Sequence, residues 1–155
     1  MMHGQDRAFM TGINASDLAR GEASLFIECG NIGHWSLGGA VCYGFGTLMK
    51  GPTLLESSHR QEFGDSIFRP DPEDIHRESI YARYWHKQHM KGPYMMTEIS
   101  HGSNSGTSVK VGAGFVMNVW KSINIYTEYT IGISGSDKNT EKLSTGICLT
   151  FGKHQ

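Results

Sequence analysis

The sequence predicts an all-β protein, an eight-stranded antiparallel up-and-down transmembrane β-barrel, and three observations carry this prediction. Eight segments alternate between large apolar residues and small or polar ones, which is the two-residue period of a β-strand. These segments have 8 to 14 residues, close to the roughly nine to eleven that a tilted membrane-spanning strand needs. The connections alternate between short turns and longer polar loops, which is typical of membrane-spanning barrels.

The connections between the segments distinguish the two ends of the predicted barrel, because short turns alternate with longer polar loops. Short turns with the sequences GNIGH, HKQHMKG and VWKS follow the second, fourth and sixth segments. A loop at 48–76 and the polar stretches SNSGT and GSDKNTEK follow the third, fifth and seventh, whereas the first connection fits either end. No segment has a helical period, although residues 71–77 could hold one helical turn. The predicted strands are 8–17, 22–29, 34–47, 77–87, 93–102, 108–118, 122–134 and 143–152.

The third, seventh and eighth segments indicate which residues face outward. Within 34–47, Trp35, Leu37, Val41 and Tyr43 form one face, and the other face consists almost entirely of glycine, alanine, serine and cysteine. A soluble sheet would carry charged residues and threonine on its second face. Large residues toward lipid and small ones toward a narrow lumen explain both faces. The residues predicted to face lipid are Leu37, Val41, Ile125, Ile131, Ile147 and Leu149.

The same alternation places charged residues in the lumen. Glu28, Glu98, Lys110 and Glu128 fall on the inward face, and Arg83 joins them from the fourth strand. Isolated charges in a tight interior are costly, whereas linked carboxylates and cations can satisfy one another. We therefore predict a structural network of these five residues, with an ion or proton path as the alternative.

Aromatic residues near the predicted strand ends indicate two interfacial girdles. In a soluble protein the same residues would belong to the core. They are Trp35, Trp85, Trp120, Tyr43, Tyr81, Tyr84, Tyr129 and Phe115.

Length and composition set limits on the function. The 155 residues form one predicted domain, with 1–7 interpreted as either a signal-peptide remnant or a disordered N-terminus. A net charge of −1 argues against a nucleic-acid partner. The three cysteines, Cys29, Cys42 and Cys148, lack metal-ligand spacing and are interpreted as small apolar residues. We expect neither a metal nor a cofactor.

Several runs of the sequence together resemble a known family. They are ASLFIECGNIGHWSLGG with Glu28 and Trp35, YARYWHKQHMKGPYMMTEISHG, ICLTFGK, and an early strand that contains Ile13 and Asn14. These runs are similar to small outer-membrane β-barrel proteins of Bacteroidetes-type bacteria. The resemblance implies a structural or accessory role in the Gram-negative cell envelope, in contact with the bilayer and lipopolysaccharide, with envelope or surface-assembly proteins as partners. It supplies no catalytic residues.

Two other functions compete with this hypothesis. The stretch HGSNSG resembles the site of outer-membrane lipid A deacylases, in which His101 would be the general base and Ser103 the nucleophile. The sequence has no acidic residue between Asn104 and Glu128, and alternation puts Glu98 on the face opposite His101, so we predict a loop without a catalytic triad. The second alternative is a soluble lipocalin-like barrel, whose bulky residues would surround an internal apolar ligand.

Overall fold

The structure, a computed structural model, describes residues 8–19, 21–44, 76–87 and 90–152 of the chain. The interpretations of residues 1–7 and of most of the 48–76 loop lie outside these ranges. The fourth strand begins at His76, one residue before the predicted start at Arg77, so the described end of the 71–77 stretch is strand and not a helical turn. The strands are β1 (Ala8–Asn14), β2 (Glu22–Ile32), β3 (Trp35–Gly44), β4 (His76–Trp85), β5 (Gly92–Gly102), β6 (Gly106–Trp120), β7 (Ile123–Gly135) and β8 (Glu141–Phe151), with one helix, α1 (Ala15–Ala19).

The eight strands form a closed antiparallel barrel in which each strand pairs with the next one along the chain. β1 pairs with β8 from Phe9 opposite Phe151 to Asn14 opposite Gly146, and this pairing closes the sheet. Closure leaves neither edge of the sheet with unpaired backbone groups. The prediction of an eight-stranded up-and-down barrel is therefore confirmed.

The two ends of the barrel differ in their connections. We call the end with the β2–β3 turn (33–34), the β4–β5 connection (86–91) and the β6–β7 turn (121–122) the turn end. The opposite end, called the loop end, has α1, the β3–β4 connection, the β5–β6 turn (103–105) and the β7–β8 loop (136–140). The first connection, which fitted either end on sequence grounds, lies at the loop end.

Helix α1 corrects the predicted first strand, which was expected to run from residue 8 to 17. Asn14 Oδ1 accepts hydrogen bonds from the backbone N–H groups of Ser16 (3.1 Å) and Asp17 (3.3 Å), so Asn14 caps a helix where the strand was expected to continue. Five residues are too few to give a recognisable helical period. Among the residues that the structure describes, no helix is long and apolar enough to cross a membrane.

Four inward-facing glycines lie opposite inward-facing aromatic rings. A Cβ atom added at any of these glycines would overlap the aromatic ring of its cross-strand partner. Each glycine on one strand thus provides the space for a ring on the next, which explains the small inward face. The pairs are Gly12 with Phe26, Gly38 with Tyr81, Gly114 with Tyr94, and Gly146 with Tyr126.

Two of the predicted girdle residues lie inside the barrel, so their assignment to the girdles was wrong. Tyr81 is 5% exposed and Trp85 is 2% exposed, because both share the inward side of β4 with Arg83. The Trp85 indole N–H donates to Ser36 Oγ at 2.7 Å. The other six residues are 41–62% exposed on the outer surface, and they are Trp35, Trp120, Tyr43, Tyr84, Tyr129 and Phe115.

Apolar side chains fill the lumen at the turn end. Trp85 and Tyr94 pack with their ring centroids 4.7 Å apart, beside the buried side chains of Met10 and Val116. Met90 reaches back from the β4–β5 connection and is 3% exposed. The turn end is thereby closed by the protein's own core.

Gly38→Ala should destabilise the barrel by about 1–3 kcal/mol, because the added methyl group would overlap the Tyr81 ring in a full interior. The adjacent Gly39 faces outward, and a Cβ there would lie 3.4 Å from its nearest neighbour, the Ser79 carbonyl oxygen. Gly39→Ala is therefore the matched control and should have little effect. Denaturant unfolding in detergent micelles measures both variants, and equal losses would show that the ring does not set the requirement for glycine.

Candidate functional site

Arg83 lies in the centre of the lumen, where it joins two carboxylates from other strands. Its guanidinium forms a close ion pair with Glu28 of β2 through Nη1. Nη2 lies 2.8 Å from Glu128 Oε2 of β7. Arg83 is 4% exposed and Glu28 is 1% exposed, so the bridge connects opposite walls of the barrel away from bulk water.

Hydroxyl groups complete the hydrogen bonding of the two carboxylates. Glu28 accepts hydrogen bonds from the Ser36 hydroxyl and, at 3.3 Å, from the Tyr81 hydroxyl. Glu128 accepts one from the Tyr94 hydroxyl at 2.8 Å. A buried ion pair is tolerated when additional hydrogen bonds satisfy its remaining polar atoms. These hydroxyl groups supply such bonds to the carboxylates, whereas Arg83 Nε has no hydrogen-bond partner among the described residues.

Aromatic rings surround the guanidinium on several sides. The Arg83 Cζ atom lies 4.6 Å from the ring centroid of Tyr81, 4.7 Å from that of Tyr94 and 5.7 Å from that of Phe26. These distances allow cation–π attraction, which is stronger in a site without water. The same rings that lie over the inward glycines therefore also hold the central cation.

Lys110 lies inside the barrel as predicted, but its ion-pair partner is Asp137 and not one of the predicted glutamates. Lys110 Nζ is 2.7 Å from Asp137 Oδ2. On β6, Lys110 is four residues closer to the loop end than Gly114, the cross-strand neighbour of Glu128. That spacing corresponds to about 13 Å along a strand. Lys110 therefore lies next to the β7–β8 loop. Its assignment to the central network was wrong, because its ion-pair partner belongs to that loop.

Asp137 belongs to the β7–β8 loop, and its side chain lies at the loop-end opening of the lumen. Besides Lys110, its carboxylate lies 3.8 Å from Arg77 Nη1 and accepts a hydrogen bond from Ser108 Oγ at 3.1 Å. Partial burial raises the pKa of Asp137, but the hydrogen bond and charge of Lys110, assisted by Arg77, outweigh burial and lower the pKa below its ordinary value. Sequence analysis missed Asp137 because it lies in a polar loop without a strand period.

Glu98 lies on the inner wall beside its cross-strand neighbour Lys110. Within the described ranges, its carboxylate has neither a hydrogen bond nor an ion pair, since Lys110 turns to Asp137. The structure thus joins Glu28, Arg83 and Glu128 directly and leaves the other two predicted residues outside that bridge.

A cavity of about 100 Å³ occupies the lumen on the loop-end side of Arg83. Its lining is mainly polar and charged and includes Asp17, Glu98, Lys110 and Lys142. Typical ligand pockets have volumes of roughly 300–1,000 Å³ and mostly apolar walls. The cavity is therefore suited to water or a small ion and is too small for a lipid-like ligand.

One group of side chains at the loop end has the spacing of metal ligands. Atoms of Asp17, Glu22 and Cys42 lie within 4.8 Å of one another. Asp17 is already engaged, because it lies 2.8 Å from Lys142 Nζ and accepts a hydrogen bond from Ser24 Oγ at 2.5 Å. Lys142 would compete with a metal ion for this carboxylate, so the group is explained by its internal contacts.

The six residues predicted to face lipid all point outward from the barrel wall. Their side chains are 38–55% exposed, and they belong to β3, β7 and β8. Ile125 lies directly opposite Ile147 in the β7–β8 ladder. Outward apolar residues therefore form continuous rows across neighbouring strands.

His101 and Ser103 have separate partners at the loop end. His101 Nδ1 lies 3.1 Å from Thr107 Oγ1. Ser103 Oγ accepts a hydrogen bond from the backbone N–H of His76 at 3.4 Å. His101 is exposed on the outer wall, whereas Glu98 lines the lumen, so the barrel wall separates the proposed base from the nearest acid on its own strand. The described contacts therefore do not join His101, Ser103 and Glu98 into the triad that the deacylase-like alternative would require.

No protein-family model, curated protein or solved structure matches the chain.

Arg83→Met should lower the free energy of unfolding by about 3–5 kcal/mol, because it leaves Glu28 and Glu128 buried without a counterion. The triple variant Arg83→Met/Glu28→Gln/Glu128→Gln removes all three charges and should be less destabilised than the single variant. Tryptophan fluorescence during denaturant unfolding in detergent compares the two, with Lys138→Met as the exposed control. A triple variant at least as unstable as the single one would contradict the charge network.

Asp137 should contribute a pH-dependent part of the stability. Its pKa is lower in the folded state than its ordinary value of 3.8, so its contribution is complete above pH 3.8 and is lost as the pH falls through the lowered pKa. The free energy of unfolding is measured from pH 6 downward. Below about pH 4 it should fall less for Asp137→Asn than for the wild type. Lys138→Gln, which changes an exposed residue of the same loop and no carboxylate, should retain the wild-type profile.

Proposed function

We propose that the chain is a small structural or accessory β-barrel of the Gram-negative outer membrane, with a lumen closed by its own side chains. The observation that carries this proposal is the composition of the outer wall. Across the eight described strands, acidic, basic and histidine side chains of the outer wall are confined to the loop-end rim, and they are His76, Glu78, His101 and Glu141.

The remainder of the outer wall is mainly apolar around the whole circumference, with threonines such as Thr97, Thr127 and Thr145 between the apolar residues. Outward residues with more than half of their side-chain surface exposed include Leu25, Ile27, Ile80, Met95 and Ile99. A soluble protein seldom exposes a contiguous apolar surface of this extent. A bilayer provides the solvent that such a wall requires, and a closed barrel satisfies its backbone hydrogen bonds internally.

The filled lumen supports a structural role over transport or ligand storage. Trp85, Met90 and Tyr94 fill the turn end, and the Arg83 bridge forms the floor of the loop-end cavity. A lipocalin-like barrel would need an apolar cavity and a polar exterior, whereas this barrel has a charged interior and an apolar exterior.

Lipid and lipopolysaccharide are the proposed surroundings of the wall, and the loop end offers the surface for envelope or surface-assembly proteins. Polar residues of the β7–β8 loop are exposed there, including Ser136, Lys138 and Asn139. The longer loops of membrane-spanning barrels face the cell exterior, so partners would bind from that side.

Ile147→Arg should impair insertion by roughly 2–4 kcal/mol, because it places a charge near the middle of the outward face of β8. Glu141→Arg lies on the same face of the same strand at the loop-end rim and should cost about 0–1 kcal/mol. The measurement is refolding into lipid vesicles across a denaturant series, followed by resistance to protease. Release of the wild-type protein from membranes without detergent, or equal tolerance of both substitutions, would contradict the membrane location.

A further inference from the structure

We propose that the turn end of the barrel binds anionic phospholipid headgroups through a rim of lysines and aromatic residues. This inference rests on the proposed membrane location and adds to it a lipid class and an orientation. The rim is defined by Lys87, Lys91 and Lys121 in the connections, together with the adjacent aromatic residues of the outer wall.

The fold separates charges that are balanced in the sequence. The described residues include eight acidic and eight basic side chains. At the turn end the three lysines Lys87, Lys91 and Lys121 have no acidic residue beside them among the described residues. The loop end holds four basic residues against six acidic ones, which are Asp17, Glu22, Glu78, Glu98, Asp137 and Glu141. Counted over the described residues, the turn end is therefore positive and the loop end negative.

The turn-end lysines are available to a ligand. Lys87 and Lys121 are exposed, and Lys91 is partly exposed. Because described carboxylates lie only in the central lumen and at the loop end, these lysines have no intramolecular counterion within the described ranges. Lysines near an anionic membrane surface each contribute about a fivefold gain in binding.

Aromatic side chains surround the same rim. Lys121 Nζ lies 5.1 Å from the centroid of the Trp120 ring, which is 62% exposed. On the neighbouring hairpins, the Tyr84 ring lies 5.1 Å from Trp35 and 5.6 Å from His34. Tryptophan and tyrosine favour the headgroup level of a bilayer, so these rings would hold the lysines at the depth of lipid phosphates.

The rim lies at the turn end, and this position favours phospholipid as the source of the phosphate groups that the lysines would bind. Short turns of outer-membrane barrels face the periplasm, where the adjoining leaflet contains phospholipid. The rim would thus set the barrel with its turn end toward the periplasm and its acidic loop end toward the exterior.

Tryptophan quenching by brominated lipids tests the proposal. The protein is reconstituted in phosphatidylcholine vesicles that contain brominated phosphatidylcholine or brominated phosphatidylglycerol as the minor component, and unlabelled lipid A is added as a competitor of brominated phosphatidylglycerol. Trp35 and Trp120 report lipids near the turn end, while the buried Trp85 gives a constant background. We expect a severalfold preference for phosphatidylglycerol over phosphatidylcholine, and this preference should weaken at 0.5 M salt.

Lys121→Gln should reduce the preference by about two- to fivefold, and Lys87→Gln/Lys91→Gln/Lys121→Gln should remove it. Lys138→Gln, which neutralises an exposed lysine at the loop end, is the matched control and should leave the preference unchanged. Far-ultraviolet circular dichroism establishes that each variant retains its β-structure.

The possible failures can be told apart. Absence of quenching by both brominated phospholipids would overturn the membrane location itself. Equal quenching by phosphatidylglycerol and phosphatidylcholine would overturn only the lipid preference. An equal effect of Lys138→Gln and Lys121→Gln, or binding of lipid A in preference to phosphatidylglycerol at the lysine rim, would overturn the proposed site and orientation.

Discussion

The narrow interior of an eight-stranded barrel is the constraint on which the rest of this structure depends. Side chains from opposite walls meet across the lumen, so large residues on one strand require small ones on the next. Gly38, Gly114 and Gly146 meet this requirement by leaving space for Tyr81, Tyr94 and Tyr126. The Tyr81 and Tyr94 rings also lie against Arg83, whose two ion pairs connect β4 with β2 and β7. The same aromatic rings thus fill the space over the glycines and contact the central cation.

The alternation of each strand divides the chain between two environments. Charged groups enter the lumen or lie at the two ends, where other charges, hydroxyl groups or water can solvate them. The outer wall keeps only apolar and weakly polar groups over most of its height. A shift of one residue in the phase of β7 would exchange Ile125 with Tyr126 and turn Glu128 outward, so the phase of each strand is strongly determined.

Much of the fold was readable from the sequence because the period of a strand is a local property. Ile123–Gly135 shows its outward isoleucines without any knowledge of its neighbours. The pairing of Gly38 with Tyr81 was not readable, because it depends on the register between two strands. Asp137 was missed because the course of a loop decides whether its carboxylate reaches Lys110. Trp85 was misassigned because its position near a strand end was given more weight than the side it shares with Arg83.

The Arg83 bridge also bears on how such a barrel can be assembled. Glu28 on β2 and Glu128 on β7 are separated along the sheet by four strands, so both can reach Arg83 on β4 only when the sheet curls. A partly curled sheet in a bilayer would turn these three charges toward hydrocarbon and would also expose two unpaired strand edges. If hairpins entered the bilayer one at a time, each intermediate would expose unpaired strand edges to hydrocarbon. We therefore expect the barrel to close in a single cooperative step.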